Sequence, residues 1–75
     1  MSSFSADLSL CSQRIQTDVA KIQLLINDLD DSDKYSEQMI DILSHSLIGF
    51  IVAAPSCDAL KNLSKDYKIA IKDLK

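Results

Sequence analysis

The sequence Leu-Ile-Gly-Phe-Ile-Val-Ala-Ala-Pro-Ser, residues 47–56, decides how this chain folds. Its first eight residues are apolar, whereas a membrane span needs roughly 18 or more, so the run indicates a buried element. Proline cannot continue a helix, so Pro55 ends the element, and Ser56 is a good N-cap for the next one. We therefore predict a second helix over residues 35–54 and a third helix after the proline.

The apolar run has one alternative interpretation, a β-strand, because β-branched residues are frequent in it and Gly49 is a poor helix former. A strand needs a partner, and the chain offers no second strand. A helix is therefore the better interpretation. Its inward side would carry Met39, Leu43, Leu47, Phe50 and Ala54, with Ile40 and Ile51 beside them.

Apolar residues before this run recur at steps of three and four, which predicts a first helix over residues 6–29. Ser3 or Ser5 is expected to cap its start. The polar segment 28–33 then breaks the period and supplies the side chains of a turn. The stripe of helix 1 comprises Phe4, Leu8, Cys11, Ile15, Val19, Ile22, Ile26 and Leu29.

The same periodicity after Pro55 predicts a third helix over residues 57–74. Three helices with short connections favour an all-α, up-down-up three-helix bundle, in which residues 1–75 form one domain. A core of this size contributes little stability, so association through helical faces is expected. The inward stripe of helix 3 would be Leu60, Leu63, Tyr67, Ala70, Ile71 and Leu74.

Composition and charge narrow the class of protein. With 75 residues, 47% of them hydrophobic, and one Gly and one Pro, the chain is neither disordered nor a turn-rich β protein. Residues 1–58 hold three basic and nine acidic side chains, a net charge of −6. Residues 59–75 hold five lysines and two aspartates, a net charge of +3. The net charge of −3 makes nucleic acid an unexpected partner. The first residues lack an export signal, so we expect a cytoplasmic protein without a membrane span.

Four apolar residues fall outside the inward stripes: Leu10 and Leu24 on helix 1, and Ile48 and Val52 on helix 2. They predict a docking surface for a partner protein or for a second copy in a homodimer. The alternative is that helix 3 covers Ile48 and Val52 as ordinary core. The first interpretation makes the chain a non-enzymatic interaction protein, such as an adaptor, an inhibitor, an immunity factor or a chaperone.

Lysines recur along helix 3 at steps of four and three, which predicts one basic ridge. Such a ridge attracts phosphates, acidic lipids or an acidic partner, or it is a solvated face that balances the acidic helices. The ridge comprises Lys61, Lys65, Lys68 and Lys72, and Lys75 continues it.

The chain has two cysteines, Cys11 and Cys57, which lie 46 positions apart and match neither a redox pair nor a zinc half-site. We expect reduced thiols. A disulfide is the alternative, because helices 1 and 3 of the bundle run parallel and bring both residues to one end. His45 is expected about three helical turns from Cys57, so no pair of nucleophile and base is predicted.

The acidic connection is similar at first to a calcium loop, because Asp28, Asp30 and Ser32 alternate as the early EF-hand ligands do. The pattern then fails, since Asp33 replaces the required Gly and Met39 replaces the bidentate Glu. We predict no metal, no cofactor and no catalytic residue.

Two resemblances give alternative functions. Asp31-Ser32-Asp33 resembles the Asp-Ser-Leu motif of acyl carrier proteins, which implies phosphopantetheine on Ser32, although Asp33 stands in place of the Leu. In outline, residues 7–54 are also similar to the small co-chaperones of type III secretion needle subunits, which are acidic helical hairpins. The third helix departs from that pattern.

Overall fold

The computed structural model describes residues 8–75, and in this part of the chain it contains three α-helices and no strand. A short 3-10 helix, Leu8–Leu10, precedes α1 (Gln13–Asp31), α2 (Glu37–Ala53) and α3 (Cys57–Asp73). Each α-helix packs against the other two. The predicted three-helix bundle is therefore confirmed.

A serine caps the N-terminus of every α-helix. Ser12, Ser36 and Ser56 have extended backbones, and each side chain accepts a hydrogen bond from the amide three residues later. These bonds satisfy amides that have no partner within the helix. The predicted cap at Ser56 is confirmed. The three Oγ atoms lie 3.3, 3.2 and 3.1 Å from the amide nitrogens of Ile15, Met39 and Ala59.

The predicted start of helix 1 at residue 6 is wrong, since α1 begins at Gln13. The amide of Cys11 donates to the carbonyl of Leu8 at 3.1 Å, which closes the 3-10 turn, and Ser12 then leaves helical geometry to cap α1. The hydroxyl of Ser12 accepts a hydrogen bond from the amide of Ile15, which an unbroken helix would direct to a backbone carbonyl. A new helix therefore starts after Ser12. Three residues of the prediction, Phe4 and the caps Ser3 and Ser5, lie outside the described residues.

The two ends of the bundle are held differently, and both show that α1 and α3 run parallel. At one end, here called the disulfide end, Cys11 is bonded to Cys57. At the other, here called the open end, Lys75 Nζ lies 3.3 Å from Asp28 Oδ2. Helix α2 runs antiparallel to both, since it starts at the open end, where the hydroxyl of Tyr35 donates to the carbonyl of Leu74 at 2.6 Å.

Two groups of buried side chains form the core. The larger group fills the middle and the open end, and the smaller one lies beneath the disulfide. The stripe predicted for helix 1 is buried from Ile15 to Leu29. The larger group is Val19, Ile22, Ile26, Leu29, Ile40, Leu43, Leu47 and Ile71; the smaller is Cys11, Ile15, Ala54 and Leu60.

The inward stripe predicted for helix 3 is partly wrong. Leu63 and Ala70 are exposed, and Ser64 is buried in their place. The buried face of α3 comprises Leu60, Ser64 and Ile71, and Tyr67 lies half-buried beside it. This face differs from the predicted stripe because α3 packs against both α1 and α2. Tyr67 holds α3 on α2: its hydroxyl donates to the carbonyl of Leu43 at 2.8 Å.

Candidate functional site

The C-terminal half of α2 presents an apolar surface to solvent. Ile48 and Val52 lie one helical turn apart and expose 54% and 61% of their surface. Gly49 and Ala53 are exposed beside them, and a Cβ added at Gly49 would meet no atom within 4 Å. We call these four residues the outer α2 face.

Helix α3 packs on another side of α2 and leaves the outer α2 face uncovered. The ring of Phe50 meets the ring of Tyr67 edge to face, with centroids 5.0 Å apart. Because Phe50 lies on the α3 side of α2, Ile48 and Val52 stay exposed. The alternative that helix 3 buries them as core is therefore wrong.

The other two predicted interface residues are exposed too, but they lie on other elements. Leu10 belongs to the 3-10 helix and borders a cleft of about 370 Å³ beside the disulfide. Leu24 lies on α1, on the side away from its buried stripe. Only Ile48 and Val52 of the four share one helix face.

Three exposed apolar side chains were not predicted: Ile42, Leu63 and Ile69. Ile42 lies seven and eleven residues before Gly49 and Ala53, so it extends the same side of α2. The helical period could have predicted the exposure of Ile42, because Ile40 and Leu43 point inward. Leu63 and Ile69 lie on α3, and Ile69 has aspartates at the neighbouring helical positions 66 and 73.

The four ridge lysines lie on one side of α3, and three of them border a cleft between α3 and α1. Lys61, Lys65 and Lys68 line this cleft, which has a volume of about 480 Å³, whereas Lys72 does not. Arg14 and Asp18 of α1 form its opposite wall, and Ser64 also lines it. Sequence patterning missed Arg14, because the pairing of α1 with α3 brings it to the ridge.

Ser64 is the unusual residue of this cleft. It is only 2% exposed, and its Oγ has no hydrogen-bond partner in the part of the chain that the structure describes. An unpartnered buried hydroxyl is destabilising, so such groups call for an explanation.

The cysteines form a disulfide, and the expectation of reduced thiols is wrong. Their Cα atoms lie 5.5 Å apart. The parallel course of α1 and α3 brings Cys11, just before one helix, to Cys57, the first residue of the other. Neither cysteine has a free thiol, so neither is a nucleophile in this state.

The remaining candidate residues are engaged locally. The Nδ1 atom of His45 lies 2.7 Å from the carbonyl oxygen of Asp41 on its own helix. Ser32 caps the C-terminus of α1, where its hydroxyl donates to the carbonyl of Leu29 at 2.7 Å. It lies four residues before the true N-cap of α2, Ser36.

Burial raises the pKa of the Tyr67 phenol, and a hydrogen bond with Ser46 opposes that increase.

No protein-family model, curated protein or solved structure matches this chain. Within residues 8–75, no three His, Cys, Asp or Glu side chains are grouped to hold a metal ion. No helix in that range has the length and apolarity to cross a membrane. The candidate sites are therefore the outer α2 face and the cleft between α1 and α3.

Proposed function

We propose that this chain is a small non-enzymatic interaction protein that binds a partner protein through the outer α2 face. The observation that carries the proposal is the exposure of Ile48 and Val52 on an uncharged helical segment. Burying one such aliphatic side chain contributes about 1.5–3 kcal/mol. Because Gly49 and Ala53 are small, a partner helix can approach the backbone of α2 closely.

The face suits a helix rather than a loop or a strand. Residues four apart form a ridge that fits the groove of a second helix. No charged residue lies between Asp41 and Asp58, so an apolar partner surface meets no buried charge along this segment. Ile42 lengthens the same side of α2 toward the open end. A specific interface covers about 800 Å² on each partner, so it extends beyond the four residues of the outer α2 face.

The non-enzymatic part of the proposal is supported by the engagement of both cysteines and of His45. Both cysteines are paired, and the ring of His45 bonds its own helix. No observation favours the two alternative functions. Ser32 lies at the end of α1 rather than at the start of α2, and the bundle has a third helix that a co-chaperone hairpin lacks.

The disulfide bears on the compartment in which the protein works. The sequence alone predicts the cytoplasm, but a disulfide between Cys11 and Cys57 favours an oxidising compartment. We propose a location in which this bond persists. Differential alkylation of thiols in intact source cells tests this. Cysteines that react only after reduction support the proposal, and two thiols that react before reduction contradict it.

The proposal is tested by capture followed by reconstitution. The wild-type chain and three variants, Ile48→Asp, Val52→Asp and Ile69→Asp, serve as baits for proteins of the source cell. Ile69→Asp is the matched control, because Ile69 is 53% exposed and Ile48 is 54% exposed. The same charge is thus placed at the same exposure on a different helix.

We expect one partner that binds the wild-type chain and Ile69→Asp, and that both α2 variants lose. That partner must bind again when both proteins are purified, with circular dichroism showing that every variant stays helical. If light scattering shows that the purified chain dimerises by itself, the partner is a second copy. Equal loss in all three variants, or in none, contradicts the outer α2 face as the binding surface.

A further inference from the structure

We infer that the cleft between α1 and α3 is a binding site for a small molecule that carries two or more phosphate groups. This site lies on different helices from the outer α2 face and does not depend on the proposed partner. Three observations carry it: the convergence of four cations, the absence of ion pairs to them within residues 8–75, and the buried hydroxyl of Ser64.

The cations come from two helices. Arg14 is in the first turn of α1, and the three lysines of the cleft lie along α3. The stretch from Lys61 to Lys68 covers seven residues, which is about 10 Å along the helix axis. Charges spread over this length fit two or three linked phosphates better than a single one. An arginine among them offers the fork of donors that binds phosphate in a bidentate manner.

In the described part of the chain, Asp18 is the one carboxylate that lines the cleft beside these four cations. Within residues 8–75, no carboxylate oxygen lies within 4.0 Å of a nitrogen of the four cations, although Asp18 lines the same cleft. The five charged side chains sum to +3 in a chain whose net charge is −3, so the remaining residues carry −6. The cleft is thus a net positive region on an acidic chain.

This charge distribution selects the class of ligand. An extended anion, such as nucleic acid or an anionic bilayer, would meet the acidic remainder of the molecule as well as the cleft. A small anion occupies only the positive region. The cleft volume of about 480 Å³ lies within the range of sites that hold small molecules.

Ser64 lines the cleft, and its hydroxyl oxygen is buried below the surface. Its hydroxyl is buried and lacks a protein partner in the described chain, so it has a hydrogen to donate. A phosphate oxygen is an acceptor that this hydroxyl and the surrounding cations share. A ligand bound there would satisfy the one buried side-chain group that residues 8–75 leave without a partner.

The test is titration of the disulfide-bonded chain with tripolyphosphate, followed by calorimetry and by amide chemical shifts. We expect saturable binding, with shifts concentrated at residues 61–68 and around Arg14. Arg14→Gln, Lys65→Gln and Ser64→Ala should each weaken binding by about tenfold. Lys72→Gln is the matched control, because Lys72 belongs to the same ridge but does not line the cleft, and it should change binding less than about twofold.

Several results would overturn the inference. Absence of saturable binding at low ionic strength would do so. Equal weakening by Lys72→Gln and Lys65→Gln would show a diffuse ridge rather than a site. Unchanged affinity in Ser64→Ala would show that the ligand does not bond to this hydroxyl. Tighter binding to phosphatidylserine vesicles or to single-stranded DNA than to tripolyphosphate would identify an extended anion as the ligand.

Discussion

The two ends of the bundle reach stability in different ways. The disulfide end has four buried residues in its core cluster, and a covalent bond joins α1 to α3 there. The middle and the open end have eight buried residues, and the contacts at the open tip include a hydrogen bond from Tyr35 and an exposed ion pair. The disulfide bond therefore lies beside the smaller of the two core clusters.

The outer α2 face lies at the disulfide end of the bundle. Ala54, which follows α2, is buried with Cys11 and Leu60, so the C-terminal half of α2 lies at this end. That half turns Ile48 and Val52 outward, where they contribute nothing to the core. Apolar surface that α2 exposes to solvent is unavailable to the core, and the disulfide adds a covalent link at the same end.

The largest effect should come from removing the disulfide. Cys11→Ser combined with Cys57→Ser should lower the free energy of unfolding by about 2–5 kcal/mol, because the bond no longer restricts the unfolded chain. Hydrogen exchange should accelerate more in residues 13–16 and 57–60 than in residues 22–29. Urea unfolding with exchange mass spectrometry measures both. Uniform acceleration along the chain would show that the two ends are not distinct.

A smaller effect of opposite sign is expected between the two ends, at Ser64. Replacing it with Ala should raise the free energy of unfolding by about 1–3 kcal/mol, because the substitution removes a buried hydroxyl that has no partner. Thermal and urea denaturation in phosphate-free buffer measure the change. Asn62→Ala is the control, because Asn62 is an exposed polar residue on the same helix. Serines elsewhere are less suitable, since Ser9 makes an interaction and Ser36 caps α2. Destabilisation by Ser64→Ala would contradict the unpartnered state of the hydroxyl.

At the open end, Tyr35→Phe removes the hydrogen bond to the carbonyl of Leu74 and keeps the ring. The expected cost is about 0.5–1.5 kcal/mol of unfolding free energy. Exchange of the last turn of α3 should accelerate, while the disulfide end stays unchanged. An equal response at both ends would mean that the hydrogen bond does not act locally.

The smallest effect should come from Lys75→Gln, which removes the ion pair with Asp28. Both side chains are about half exposed, so the loss should stay below about 1 kcal/mol. Added salt should remove the difference between wild type and variant, because exposed charges are screened. A loss that persists in high salt would show a packing role for the Lys75 stem.

Much of the fold is predictable from the sequence. The stripe from Ile15 to Leu29 and the stop at Pro55 are local signals, and both agree with the structure. The start of α1 is not predictable from periodicity, because Leu8 and Cys11 keep the helical spacing while Ser12 breaks the helix.

The candidate sites depend more on tertiary structure. The exchange of Leu63 for Ser64 in the core follows from how α3 rotates against α1 and α2, which no single-helix pattern contains. The lysine ridge is readable from spacing, but its meeting with Arg14 is not. The disulfide likewise requires the parallel course of α1 and α3, which only the assembled bundle provides.

The most direct test of the central claim is the affinity of the purified partner for two disulfide-bonded variants, Ile48→Asp and Ile69→Asp. The account predicts that Ile48→Asp weakens binding by about tenfold or more, because a charge would be buried in an apolar contact, while Ile69→Asp leaves the dissociation constant nearly unchanged. Equal dissociation constants for the two variants would contradict a binding surface on α2.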